Sequence, residues 1–479
     1  MSDAEQVLVV DIGSTFTKAA LVDVATGQVC SRGDALTSRS TDVMDAVREL
    51  ATRLGAGPEV EIVGCSSAGG GLRLAVIGYE RAVTADAGFR VGLSAGAKVV
   101  HVACGPLDDA ALTALAADRP DIILLVGGTD GGNADVIRHN AALLARAPLP
   151  PSVPIVVAGN SAAQADCVAR LRAGGRSVIT ADNVLPEIGV IAPDSARAAM
   201  REAFLTHVIG GKGLSRDPAF PSLVRMATPD AVLGGVEVLS QVADSDVLVI
   251  DIGGATTDVY SSVSPASSVG PGHGTAASPA SAAAPAVPRS HPLRRRVTRV
   301  ESGAPDPGRA DVAGMLRHAR TVEADLGMRW NADSVVTAAD RERLPVPPVL
   351  REYAVSLPHR PDHLPTDATE AAYDLDIARL AAVVAVRRHA RPPAPGRPGR
   401  DLSTVGVVLG SGGVLRHRSP QEAVSVMAAA ADDQAGGWRV PRSPRLGIDT
   451  AYLLVVVGLL ADTHPDAARR GARALLETE

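Results

Sequence analysis

At 479 residues the chain is long enough for roughly two to four domains or subdomains, each with a buried core of its own. Its net charge of −6 leaves no basic excess, which argues against nucleic acid or an anionic membrane surface as the main partner. The cysteines Cys30, Cys65, Cys104 and Cys167 form no C-x-x-C pair and read as small reduced core residues rather than a disulfide framework or a zinc site.

Residues 7–12, 18–23 and 28–32 read as three short strands joined by tight turns, an antiparallel meander. The first, Val-Leu-Val-Val-Asp-Ile, carries Asp11 and runs straight into Gly13, Ser14, Thr15, Thr17 and Lys18. A strand that delivers a carboxylate into a glycine and hydroxyl turn sets a Mg²⁺-attracting group beside backbone N–H groups able to hold phosphate oxygens. The only lysines are Lys18, Lys98 and Lys212 in an arginine-rich chain, so a lysine in this turn is poorly explained as surface filler. Residues 41–54 follow at helical spacing through Val43, Met44, Val47, Leu50 and Leu54, with Thr41 as cap and Gly55 as stop. Residues 59–65 return as a strand that ends in Ser66-Ser67-Ala68-Gly69-Gly70-Gly71.

From residue 98 to about 240 the texture changes to alternating strands and helices. Residues 99–103, 122–126, 155–158 and 178–180 are near-continuous apolar runs, the pattern of strands buried on both faces. Helical stretches at 108–117, 134–145 and 162–173 separate them, which defines an inserted parallel α/β module. Its strand-end loops, 127–132 with Asp130 and 159–161, lie where open α/β sheets place ligands.

Residues 247–260 then repeat the opening pattern: a strand carrying Asp251, followed by Gly253, Gly254, Thr256 and Thr257. Residues 261–307 turn to Ser, Ala, Pro and Gly with a basic patch at Arg294-Arg295-Arg296, a composition too poor in apolar surface to offset its ordering entropy. That stretch reads as a disordered insertion. Helix and loop resume over 310–326, a long helix is expected over 367–388, and a strand at 405–409 opens into Gly410, Ser411, Gly412 and Gly413. Asp449 opens a final apolar helix. Its longest apolar run, 451–461, is too short to span a bilayer. The N-terminal stretch has no basic flank, apolar core or cleavage site of a secretory signal, so a cytoplasmic location is expected.

Two acid-glycine-hydroxyl turns, a glycine-rich strand exit and an acid before the last helix, in this order, resemble the actin, sugar-kinase and heat-shock chaperone ATPase superfamily. The fold class expected is α/β: duplicated actin-like (ribonuclease H-like) halves, with the inserted module and the disordered insertion. The expected boundaries are 1–97 for the first half, 98–243 for the module and 244–479 for the second half. ATP and Mg²⁺ are the cofactors this resemblance implies. Asp11 and Asp251 would serve the metal, and Asp251 would orient the attacking water. Gly13, Gly253 and Gly254 would admit phosphates, the hydroxyls and Lys18 would bind them, and residues 410–413 would contact adenosine.

Residues 11–18, 120–133, 184–189, 251–260, 320–329 and 410–415 together are similar to the glutamate mutase accessory protein L family, over nearly the whole chain except 261–307. This resemblance implies an ATP-binding partner of adenosylcobalamin-dependent carbon-skeleton mutases, one that by analogy with diol dehydratase reactivases releases damaged cobalamin. It implies an ATPase, not the mutase itself. Ala324 departs from the glycine expected in the Glu-x-Asp-Leu-Gly stretch 323–327. Two other readings of the same clamp stay open: a small-molecule kinase of the sugar or acetate kinase type with Asp130 near an acceptor, and an actin-like nucleotide-binding scaffold.

Overall fold

The computed structural model describes residues 5–38, 41–68, 71–81, 83–209, 213–264, 316–392 and 399–477. In chain order the strands are β1 (Gln6–Ile12), β2 (Phe16–Asp23), β3 (Val29–Leu36), β4 (Glu61–Ser66), β5 (Arg73–Gly78), β6 (Lys98–Cys104), β7 (Ile122–Leu125) and β8 (Ile155–Val157). They continue as β9 (Val178–Thr180), β10 (Val224–Ala227), β11 (Asp246–Ile252), β12 (Thr257–Ser262), β13 (His318–Glu323), β14 (Val405–Ser411) and β15 (Arg445–Ile448).

These strands make three five-stranded sheets, and two of the sheets are copies of one plan. In the order β10-β4-β1-β2-β3, the meander β1-β2-β3 is antiparallel while β4 and β10 run parallel to β1. In the order β13-β12-β11-β14-β15, the same directions recur. The third sheet, β6-β5-β7-β8-β9, is parallel throughout, with the strand order of a doubly wound sheet.

Alternation along β1 and β11 explains why both are apolar at nearly every position. Leu8, Val10 and Ile12 point into the outer core of the first half, and Leu248, Ile250 and Ile252 into that of the second. Val7, Val9, Val247 and Val249 point the other way, into a core shared between the halves. Each such side chain contributes about 1.5–3 kcal/mol when fully buried. The shared core is closed by the helices Thr228–Ala243 and Leu453–Leu460, each of which follows the fifth strand of its half. They cross in backbone contact. A Cβ on Gly458 would lie 1.8 Å from the Ala231 carbonyl oxygen, and one on Gly235 would lie 2.1 Å from that of Leu454.

Several details differ from expectation. The boundary expected at residue 98 falls inside the parallel sheet, because Leu74-Ala75-Val76-Ile77 is a fully buried central strand between β6 and β7. The module thus lies between β4 and β10, and β10 returns to complete the first sheet. Ser261 and Ser262, read as the start of the insertion, belong to β12 and are buried; residues 265–307 lie outside the described residues. Residues 318–323, expected within helix and loop, form β13, since pairing with β12 outweighs local preference. The helix Val43–Leu54 is capped by Asp42, which accepts from the Met44 N–H at 2.9 Å, while the Thr41 hydroxyl donates to Asp45 instead. No helix among the described residues is long and apolar enough to cross a membrane.

Candidate functional site

Each half turns its first hairpin in the same way. The Gly13 N–H donates to the Phe16 carbonyl at 3.1 Å, and the Gly253 N–H to that of Thr256 at 2.9 Å. A Cβ on Gly13 would sit 2.5 Å from the Phe16 oxygen, so the first turn needs glycine. Ser14, Thr15 and Gly254 are exposed at the turn tips, and Thr256 is half-buried with its hydroxyl shared with Asp258. Thr17 and Thr257 occupy matching positions and point inward. Both are fully buried, Thr17 hydroxyl to hydroxyl with Thr37 at 3.0 Å and Thr257 donating to the Leu326 carbonyl at 2.6 Å. These two hydroxyls hold the turns to their neighbours and are not offered to a ligand. Residues 324–327 form the neighbour in the second half, and Ala324 there is not among the residues with a left-handed backbone, so alanine fits without strain.

The two aspartates are register twins in different settings. Asp11, 5 % exposed, lies opposite Lys18 on β2 and Cys65 on β4. One of its oxygens accepts from Thr228 at 2.6 Å and from the Cys65 thiol at 3.4 Å. The other accepts from the Tyr452 hydroxyl at 2.7 Å. Asp251 lies opposite Asp258 and Ser411. Burial and the Asp258 carboxylate raise its pKa above the usual carboxylate range, while Lys18, Ser411 and Arg416 pull the other way. Burial likewise keeps Cys65 and Tyr452 neutral donors, each pushed up further by Asp11.

Tyr452 is where the halves meet. It stands in a left-handed conformation, φ 62°, just before the helix Leu453–Leu460. Its hydroxyl reaches Asp11 of the first half, and Lys18 of the first half and Arg416 of the second lie over its ring at 4.0 and 4.7 Å. Lys18 and Tyr452 also interact electrostatically with Asp251. Gly410 and Ser411 are the buried end of β14. Gly412 turns the chain at φ 112°, where a Cβ would lie 2.2 Å from the Ile252 oxygen. Gly413 then opens the short helix Gly413–Arg416 with nothing within 4 Å of its Cβ position. Asp449 is spent locally: its two oxygens accept from the Leu453 and Leu454 N–H groups at 2.7 and 3.0 Å.

The carboxylates of the site that could hold a metal are Asp11 and Asp251. Among the described residues no three His, Cys, Asp or Glu side chains are grouped to hold an ion. A pair of carboxylates suits Mg²⁺, which keeps water and phosphate oxygens as its other ligands. Thr228, Cys65, Tyr452 and Arg416 were not singled out from sequence. Thr228, Cys65 and Tyr452 reach Asp11 from 217, 54 and 441 residues away, distances at which no local spacing carries a signal.

Two copies of a five-stranded mixed sheet, each with an Asp-Gly turn after its first strand and closed by paired helices, define an actin-like fold. The chain belongs to the MutL protein family, the glutamate mutase accessory family, whose model matches residues 7–281 and 297–475. Protein MutL of Clostridium tetanomorphum is 31% identical over 495 residues, covering 97% of each chain. Among solved structures, the ATP-dependent caprolactamase of Pseudomonas jessenii is 14% identical with a TM-score of 0.36, over 95% of this chain and 70% of that one. Component A of (R)-2-hydroxyglutaryl-CoA dehydratase from Acidaminococcus fermentans is 9% identical with a TM-score of 0.31, over 97% and 99%. Scores this low add nothing to the sheet topology.

Proposed function

We propose that the protein is an ATP-hydrolysing accessory chaperone that reactivates an adenosylcobalamin-dependent carbon-skeleton mutase of the glutamate mutase type, through closure of the cleft between its halves. The observation that supports this reading is that Tyr452, from the second half, donates to Asp11 and lies under Lys18 of the first Asp-Gly turn. Bound MgATP would supply the transferable phosphoryl group and the charge that draws the turns together. On this reading Asp11 serves the metal side, held in place by Thr228 and Tyr452. Ser14, Thr15 and Gly254 present exposed backbone to the phosphates, and Gly413 leaves room for the adenosine. Asp251 orients the attacking water, a task its like-charged neighbour and raised basicity favour. Closure is passed on through the crossed helices to the module, which leaves the first sheet at β4 and rejoins it at β10.

Asp130 weakens the kinase alternative. Burial would raise its pKa, yet the Ser161 N–H and the Asn183 amide, both at 2.9 Å, hold it below the usual range, so it is no poised base. The test measures ATP hydrolysis, capture of mutase subunits with and without ATP, and recovery of an inactivated mutase. Reactivation by Asp251→Ala at the wild-type rate would rule the mechanism out, and phosphate transfer to an added hydroxyl or carboxyl compound would favour the kinase.

A further inference from the structure

The helix Asp194–Ala203 is the last of the inserted module, and its two faces have different partners. Ala196, Ala199, Met200 and Ala203 are buried in one core with Leu124, Val126 and Val156 of the parallel sheet. Arg197 and Arg201 stand one turn apart on the opposite face and reach the helix Thr228–Ala243 of the first half. Arg197 donates to Glu237 at 2.7 Å and to one Asp230 oxygen at 3.2 Å, and Arg201 donates to the other Asp230 oxygen at 2.8 Å. Asp230 is only 3 % exposed, so little solvent screens these pairs. Arg201 also reaches Asp462 of the second half at 3.5 Å.

The helix they hold begins at Asp11. Its first residue, Thr228, donates to that carboxylate at 2.6 Å, and further along Gly235 meets the backbone of Leu454 in the second half. One helix thus touches Asp11, the second half and the arginines of the module, and a rigid element with contacts at both ends can carry a displacement between them. The module is braced from another direction too, since its helix Thr84–Ser94 packs on β13 of the second half. The hold on Asp230 is not tightly closed. A space of about 240 Å³ lies against it, walled in part by Arg197, Arg201, Asp230, Glu237 and Asp462. Among the described residues the Arg197 Nε, though buried, has no hydrogen-bond partner. A buried donor left open costs free energy that another arrangement of the same side chains can recover, and the space gives them room to adopt it.

We propose that Arg197 and Arg201 are the residues through which the module reads the state of the nucleotide cleft. Closure on ATP displaces the helix Thr228–Ala243, and the arginines pass that displacement to the helix Asp194–Ala203 by changing their hold on Asp230 and Glu237. The inference rests on the nucleotide-clamp reading and adds to it the contact that regulates the module; both arginines are positioning residues that act through a helix and not on the nucleotide. Hydrogen exchange of the full chain, with and without Mg²⁺ and a saturating ATP analogue that resists hydrolysis, tests it in the wild type, Arg201→Met and Glu237→Gln. The two variants remove ion pairs from opposite sides of the contact, and both leave Arg197 paired with Asp230. In the wild type the nucleotide should change exchange of the Asp194–Ala203 amides by about fivefold or more, the lower end of ordinary coupling between sites. In each variant the change should shrink to about twofold or less, with nucleotide affinity unaltered and with β7 and β8 as protected as in the wild type, which reports folding. A merely structural role would raise exchange equally with and without nucleotide and leave the response intact. A response of wild-type size in either folded variant overturns the inference, as does a wild type that binds nucleotide with no change in the module, and the clamp then still stands. Should one variant exchange as an unfolded chain, the other decides. A wild type that binds no nucleotide overturns the clamp reading, and this inference with it.

Discussion

The two halves share strand order, register and turn geometry, yet they treat their aspartates in opposite ways. Asp11 faces a lysine and accepts from three side chains, so its charge is spread and its position locked. Asp251 faces a second carboxylate, with Ser411 as its hydroxyl neighbour, and its pKa is raised. On the proposed reading, the first carboxylate is the one that holds and the second the one that acts. The swap responsible is small: Lys18 in the first half stands where Asp258 stands in the second, and Cys65 where Ser411 stands.

The sharpest way to break this contrast is to neutralise each acid separately. Asp251→Asn should lower ATP turnover by about 10²–10⁴-fold, the range for a lost acid–base group, while thermal unfolding stays the same or shifts upward because a like-charge contact is relieved. Asp11→Asn should lose activity and also about 1–3 kcal/mol of stability in denaturant melts, since an amide NH₂ would meet donors where an oxygen accepted. Equal stability loss in the two variants would erase the distinction.

Next in size is the helix crossing that joins the halves. Alanine for a mid-helix glycine ordinarily stabilises by up to about 1 kcal/mol. Gly458→Ala should instead cost about 2–3 kcal/mol, because its Cβ meets the Ala231 oxygen at 1.8 Å. Denaturant unfolding measures this directly.

Asp258→Asn sharpens the electrostatic half of the comparison. A raised carboxyl pKa means the folded state holds the proton more tightly, so this group favours folding in acid and that contribution fades as pH rises through the folded value. Removing the Asp258 charge eases ionisation of Asp251, so the acid limb of the ATPase pH profile should move to lower pH. An unmoved limb would show that another group controls it.

The smallest effect is expected for Cys65→Ser, which gives the first half the residue of the second. A hydroxyl can donate to Asp11 as the thiol does, so stability should change by no more than about 1 kcal/mol in thermal melts.

Much of this arrangement was legible in the sequence because the strand, acid and glycine recur as a contiguous pattern at Asp11 and Asp251. The strands β7, β8 and β9 were equally plain from their short apolar runs. What escaped was set by pairing across the fold. β5 hid behind the glycines at 69–71, and β13 is a strand because β12 lies beside it. Thr17 and Thr257 looked like ligand donors, but their place at the first position past the turn, opposite Ile12 and Ile252, aims them inward. Cys65 could have been found by one rule, that the residue beside the acid on the fourth strand shares its environment; Tyr452, so far along the chain, had no such signal.

The crossing at Gly235 and Gly458 has a mechanical corollary. Helices that interlock through side chains must re-sort their ridges and grooves whenever their angle changes. Here the two backbones touch at the glycines with no side chain between them, so at that point a change of angle between the helices would have no ridge to lift over a groove.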